Sequence, residues 1–278
     1  MQVNISYGRN GLLVSVPDHT KIIRSHYIPG FLDVEAEIIR ALRYPISSPA
    51  LGSLVKPGNK VCIVHTDITR PTPNDLLLPL IIDELEQAGV HPKDIFLLNG
   101  LGTHRIQTTE ELEMMLGKNI AGNYRCIQHD PQNDYNLVDL GITSSGNPVR
   151  INRYYWEADV KILTGFIEPH FFAGFSGGPK AILPAVAGFE SVWTNHSPAN
   201  IAHPAATWGV TKGNPIWEEM KEVAILTQPT FLINVTLNSE GGITGVFAGD
   251  MIAAHARGCE YLKKHAIGAR AGFVGANN

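Results

Sequence analysis

The stretch KVCIVHTDITRPTPNDLLLPLIIDELEQAGVHPKDIFLLNG, residues 60–100, decides the fold class. Its first apolar run, KVCIVH, is short and continuous, as a strand buried on both faces should be. The polar segment DITRPTP follows, and Pro71 and Pro73 stiffen the entry to a helix predicted over 74–87. Gly89 supplies the stop. DIFLLNG then reads as a second strand. Strand, long helix and strand in succession make a βαβ unit, and such units build a mainly parallel sheet.

The alternation continues outward. Upstream, MQVNISYG and GLLVSVP alternate apolar and polar residues around Arg9-Asn10-Gly11, the signal of a β-hairpin. A short helix is predicted over 34–42, stopped by Pro45. Downstream, a helix over 109–116 opens on Thr108-Thr109-Glu110-Glu111, which has capping-box spacing. Further strands are expected at YRCIQH, NLVDLG, PVRIN, DVKILTG, TFLINVTL and ITGVFAG. Helices are expected at 180–187, 189–195, 215–226 and 251–264. The fold class is α/β: a Rossmann-like, mainly parallel sheet flanked by helices, with an N-terminal β-hairpin. Residues 1–268 read as one domain. The Gly/Ala-rich segment 269–278 reads as a tail or a linker to a further domain that the sequence does not contain.

Bulk composition narrows the function classes. The chain has 278 residues, 44% hydrophobic and 17% charged, enough apolar material for a large core. A net charge of −4 argues against nucleic acid or an anionic membrane as electrostatic partner. The start, MQVNISYGRNG, lacks a basic segment followed by an apolar one, and the run DLLLPLIIDELEQAG is broken by Pro79 and Asp83. A cytoplasmic location is expected. Cys62, Cys126 and Cys259 are scattered and give neither a disulfide framework nor a zinc pattern; they read as buried thiols.

In open parallel sheets, ligands bind beyond the carboxyl ends of the strands. Three such loops carry chemistry. In HTDITRPTPND, Asp67 and Arg70 either tie their own loop or face a ligand, and Arg is the planar fork for a carboxylate or phosphate. In NGLGTHRIQTTEE, Gly100 and Gly102 allow a tight turn that releases His104, a side chain able to exchange a proton near neutral pH. In EPHFFAGFSGGPKAILPA, His170 precedes a glycine-rich loop through Gly174, Gly177 and Gly178 to Lys180. That loop departs from a phosphate-binding P-loop, because Pro179 replaces the second glycine and Ala181 replaces the magnesium-binding hydroxyl. Lys180 is placed either to meet a phosphate or to act as a nucleophile. His196, in WTNHSPAN, has no zinc-type spacing from His170. The remaining histidines read as structural or solvated. Trp193, Trp208 and Trp217 read as core or cleft-wall aromatics.

DITRPTP, GLGTHR, EPHFFAGFSGGPKAILPAVAG and NHSP occur in this order across residues 67–198. Together they resemble the N-terminal domain of the nickel-pincer nucleotide-dependent lactate racemase family. The resemblance implies that Lys180 tethers the nucleotide through a thioamide, that Ser176, Gly177 and Gly178 cradle it, and that His196 is the protein ligand to nickel. It implies that His104 and His170 are the two acid/base residues and that Arg70, with Asp67 close by, holds the substrate carboxylate. The implied activity is racemisation or epimerisation of a small 2-hydroxyacid through a 2-keto acid, with cofactor-biosynthesis enzymes as partners. It further implies a second α/β domain, absent from this sequence. A downstream region or a second chain is therefore expected to complete the site. The alternatives are a non-catalytic domain that binds the nickel nucleotide, and an unrelated phosphate-ligand enzyme.

Overall fold

The computed structural model describes residues 1–5, 7–8, 11–22 and 26–265. β1 (Gln2–Ile5) and β2 (Leu12–Ser15) pair antiparallel, as the alternation predicts. The turn residues Arg9 and Asn10, and the tail at 269–278, lie outside the described residues. α1 (Val34–Arg43), opened by the Asp33 side chain, leads to β3 (Val61–Thr66), α2 (Asn74–Gln87) and β4 (Ile95–Gly100). α3 (Thr109–Leu116) starts on the predicted capping box, Thr108 and Glu111 each closing on the other's backbone. α4 (Lys118–Asn123) and β5 (Arg125–Gln128) complete the first half of the sheet.

β6 (Leu137–Ile142) and β7 (Pro148–Asn152) pair as an antiparallel hairpin outside the main sheet. After α5 (Arg153–Trp156) comes β8 (Val160–Phe166), then the two-residue strands β9 (Pro169–His170) and β10 (Gly174–Phe175). α6 (Phe189–Asn195), α7 (Pro198–Ile201), α8 (Pro215–Thr227), β11 (Phe231–Leu237), β12 (Ile243–Gly249) and α9 (Met251–His265) follow.

The helix expected over 180–187 is not there. A single 3₁₀ turn, Gly178–Ala181, takes its place. Pro184 has no N–H to donate to a preceding turn, and Gly177 and Gly178, both at positive φ, set the chain turning before a helix can start.

The six-stranded sheet has the order β12-β11-β8-β3-β4-β5, parallel except for β12 at one edge. Residues 238–242 between β11 and β12 are too few for a crossover, so that pair turns back as a hairpin. Helices cover both faces. Ile63 and Leu97 meet Leu77 and Ile81 of α2 and Ile38 of α1 in one core. Cys62, Val64 and Leu98 meet Met220 of α8 and Ala254 of α9 in the other. That two-sided cover explains why β3 is one apolar run rather than an alternation. Each Ile or Leu buried in this way contributes about 1.5–3 kcal/mol.

From β3 the chain winds outward through β4 to β5, then returns to place β8 on the opposite side of β3. The loops after β3, β4 and β8 therefore diverge at a topological switch point, where a crevice must open.

Candidate active site

A cavity of about 650 Å³ lies at that crevice, lined by Asp67 and Arg70 after β3, His104 after β4, and His170, Lys180 and His196 from the segment after β8. All six chemistry-bearing side chains singled out in the sequence thus face one space. Phe172 sits among them. Its ring lies 4.6 Å from the ring of His170, 5.1 Å from that of His196 and 5.9 Å from the Lys180 Nζ.

The two candidate acid/base histidines are held in opposite ways. His104 Nδ1 donates to Asp67 Oδ2 at 2.8 Å, while Thr69 Oγ1 donates to Asp67 Oδ1 at 2.8 Å. The carboxylate is thereby fully engaged, and the His104 Nε2 is left with its lone pair. For His170, Nδ1 accepts from the Ala173 N–H at 3.1 Å, so the neutral ring carries its proton on Nε2. Burial, with help from Lys180, Arg70 and His196, holds the His170 pKa down to about 3.

Lys180 stands on the 3₁₀ turn, its N–H closing on Gly177 O at 3.1 Å. Burial first, then the neighbouring Arg70 guanidinium, lowers its ammonium pKa to about 7, so a large fraction of neutral, nucleophilic amine exists at physiological pH. His196 caps the C-terminus of α6 and donates Nδ1–H to Val192 O at 3.2 Å. Its pKa is pushed down to about 4, chiefly by burial. The ring is therefore neutral, with Nε2 free to bind a metal. Arg70 has no carboxylate partner within 4.0 Å among the described residues, which leaves its fork available to an anionic ligand.

Ser176 lines the cavity, but its hydroxyl is already committed. It donates to Phe166 O and accepts from the Glu168 N–H, both at 2.9 Å, stitching the glycine loop to the end of β8. Gly177 and Gly178 are needed for their backbone: φ is +74° and +53°. A Cβ on Gly177 would meet Asn234 Oδ1 at 2.5 Å, and one on Gly178 would meet the His255 ring at the same distance.

Three features escaped the sequence reading. Glu168, two residues before His170, lines the cavity, and burial raises its carboxyl pKa against the opposing pull of Arg70. His65, read as structural or solvated, is buried in the cavity wall, its Nε2 without a partner among the described residues. Glu219 of α8 is buried and accepts from Asn147 Nδ2 at 2.8 Å and Asn195 Nδ2 at 2.7 Å, together with Thr143 and Ser145. Asn195 directly precedes His196, so this carboxylate anchors the end of the helix that presents the metal-ligand candidate. Trp193 and Trp208 stand at the cavity mouth, while Trp217 is buried in the core.

Among the described residues no group of three or more His, Cys, Asp or Glu side chains could hold a metal ion by itself. The donor set does suit a metal that arrives with its other ligands attached: one neutral imidazole with a free Nε2, one near-neutral amine, and a cavity large enough for a mononucleotide.

Residues 7–209 match the lactate racemase N-terminal domain. The chain is 35% identical over 266 residues to the lactate racemase of Thermoanaerobacterium thermosaccharolyticum, covering 94% of this chain and 62% of that protein. It is 36% identical over 233 residues to the lactate racemase of Lactiplantibacillus plantarum, covering 84% of this chain and 55% of that protein. The solved structure of the Thermoanaerobacterium thermosaccharolyticum lactate racemase apoprotein superposes with a TM-score of 0.85 at 34% identity, over 95% of this chain and 63% of that one. A Thermotoga maritima protein shares the fold, with a TM-score of 0.71 at 24% identity over 86% of this chain and 61% of that one. The chain thus spans about three fifths of the length of the relatives it matches. No helix among the described residues is long and apolar enough to cross a membrane. With the match running through every loop that lines the cavity, the chain belongs to the lactate racemase N-terminal domain family.

Proposed function

We propose that this chain provides the cofactor- and substrate-binding part of a racemase or epimerase for small 2-hydroxyacids. The observation that carries this reading is the gathering of Lys180, His170 and His196 around the Phe172 ring, beside an Arg70 that has no carboxylate partner among the described residues. Lys180 attaches a nickel-pincer nucleotide through its amine, and His196 Nε2 supplies the protein's ligand to nickel. When bound, that group supplies reversible acceptance of a hydride. Ser176 and Gly177 of the 174–178 loop border the same space.

The protein's own residues do the rest. Arg70 takes the substrate carboxylate in a bidentate grip and keeps one end fixed while the reacting carbon changes face. A racemase must move the hydroxyl proton on either face, which requires two acid/base groups. His104 enters from the β4 loop with a lone pair at Nε2, ready to accept. His170 enters from β9 as a neutral ring whose Nε2–H hydrogen-bonds the substrate oxygen; it acts as the acid only after it has taken up a second proton. The apolar wall formed by Phe172 and Phe166 limits water around the exchange.

The test has two parts. After co-expression with the cofactor-making enzymes, the intact mass should rise by one nucleotide adduct, and Lys180→Ala should abolish the rise. No adduct under those conditions ends the proposal. Interconversion of D- and L-lactate is then measured for the chain alone and with a second α/β domain supplied, since the family resemblance implies further active-site residues from such a domain. An adduct without turnover in either case would favour a domain that binds the nucleotide without catalysis.

A further inference from the structure

The turn that bears Lys180 is gripped from two elements that lie beyond the family-matched residues 7–209. From β11, Asn234 Oδ1 accepts from the Gly178 N–H at 2.8 Å, while its Nδ2 donates to Ile233 O at 3.0 Å. From α9, His255 Nε2 donates to Ser176 O at 2.9 Å. Both side chains are sealed from solvent, at 0% and 1% exposure. Burying an amide and an imidazole costs free energy unless each is hydrogen-bonded, and here the bonds go to backbone atoms on either side of Gly177.

The steric fit points the same way. Gly177 has no room for a Cβ because Asn234 Oδ1 occupies it, and Gly178 has none because the His255 ring does. The thiol of Cys259 lies 3.7 Å from His255 Nδ1, and the Trp217 ring stacks near-parallel at 6.4 Å, so the imidazole has little freedom to turn. An apolar residue at 255 would fill the core equally well. It would not hold a carbonyl.

We propose that Asn234 and His255 are positioning residues for Lys180, a two-sided clamp that fixes the 176–178 backbone so that the amine is delivered to the cavity wall. Neither residue touches the cavity's ligand space; both act through the turn. The inference builds on the reading of Lys180 as the attachment nucleophile, but its test uses apo-protein and a generic amine reagent.

Pulse labelling with acetic anhydride between pH 5 and 10, read by peptide mass spectrometry, gives the rate and pH midpoint for Lys180, with Lys221 as internal reference. Arg70, His170 and His196 are the charged and titratable groups around the amine. In His255→Phe the ring stays and the N–H is lost. The turn loosens, water reaches the amine, and the Lys180 midpoint rises by about one unit, so labelling at pH 7 falls about fivefold relative to Lys221. His255→Gln restores a donor near the Nε2 position and brings labelling back to within about threefold of the wild type. A folded His255→Phe with wild-type labelling rate and midpoint overturns the proposal, and so does a Gln variant no better than Phe. Should His255→Phe fail to fold, Gly178→Ala drives a methyl into the same contact. Asn234→Ala, which removes the acceptor on the other side of Gly177, should give the same labelling defect, and wild-type labelling in both folded variants also overturns the clamp. If no nucleotide adduct forms on the wild type yet these shifts appear, the clamp stands and the cofactor reading falls.

Discussion

His104 and Asp67 meet at 2.8 Å through Nδ1 and Oδ2, from loops that follow neighbouring strands of the sheet. The buried carboxylate fixes both the ring's orientation and its tautomer, leaving a lone pair at Nε2. Asp67→Asn keeps the shape but can present an N–H to Nδ1, which moves the imidazole proton to Nε2 and removes the acceptor. In cofactor-loaded, racemising protein, kcat is expected to fall by about 10²–10⁴-fold, with KM little changed. Nitrogen NMR of the imidazoles should report the Nδ1–H tautomer for His104 in the wild type and the Nε2–H tautomer in the variant. An unchanged kcat would remove His104 from the proton chemistry.

Arg70 acts on its surroundings by charge as well as by grip. Its guanidinium helps to lower the pKa of both His170 and Lys180. Arg70→Ala is expected to raise KM for the 2-hydroxyacid about 10–100-fold, the equivalent of one charge-assisted pair at about 1.5–3 kcal/mol. It should also shift the Lys180 labelling midpoint upward. Arg70→Lys restores the charge, and with it the midpoint, but not the bidentate fork, so KM should stay raised. Equal KM values for the Lys variant and the wild type would show that charge alone binds the carboxylate.

What the sequence made legible follows from which interactions are local. The βαβ unit at 60–100 could be read because apolar runs, Pro73 and Gly89 each act within a few residues, and α2 has the predicted bounds. The site loops were legible because strand ends in parallel sheets gather ligands, and the motif residues fall on those ends. The segment 180–187 misled because its run of apolar residues has helical composition, while Pro184 and the positive φ of Gly177 and Gly178 govern the path. The β6–β7 hairpin was visible as two strands, but not its separation from the main sheet, since alternation names strands and not their partners. Glu219, Asn234 and His255 carried no signal. Asn234 meets its partner 56 residues away and His255 meets its own at 79, so only the assembled fold shows their function.

Buried neutral histidines should make the domain acid-sensitive. His65, His129 and His255 are each 1% exposed, and burial lowers each pKa to about 4. In the unfolded chain the same groups titrate near pH 6.5. Above that pH both states are neutral and stability is intact. As pH falls below it, the unfolded state takes up protons that the folded state refuses, and stability declines until the folded pKa is reached near 4. Three such protons correspond to a slope of roughly 4 kcal/mol per pH unit around pH 5. Urea unfolding at intervals from pH 7.5 to 4.5 measures it. His129→Gln, which can still donate to Ala187 O, should lower the slope by about one proton. An unchanged slope would mean that His129 is already protonated in the fold.

Glu219 provides a last test, of how the protein holds His196. Its carboxylate accepts from two asparagine amides and two hydroxyls, with no cation in the network among the described residues. An ionised carboxylate suits four donors because it offers acceptors only. In Glu219→Gln the amide can keep its oxygen on Asn147 and Asn195 only by turning its N–H₂ toward the Thr143 and Ser145 hydroxyls, which then lose their shared acceptor. Urea unfolding should record a loss of about 2–3 kcal/mol. Because Asn195 holds the end of α6, the variant should also bind nickel more weakly in nucleotide-loaded protein while Lys180 still forms its adduct. A variant equally stable and equally loaded with nickel would show that α6 keeps its place without the carboxylate.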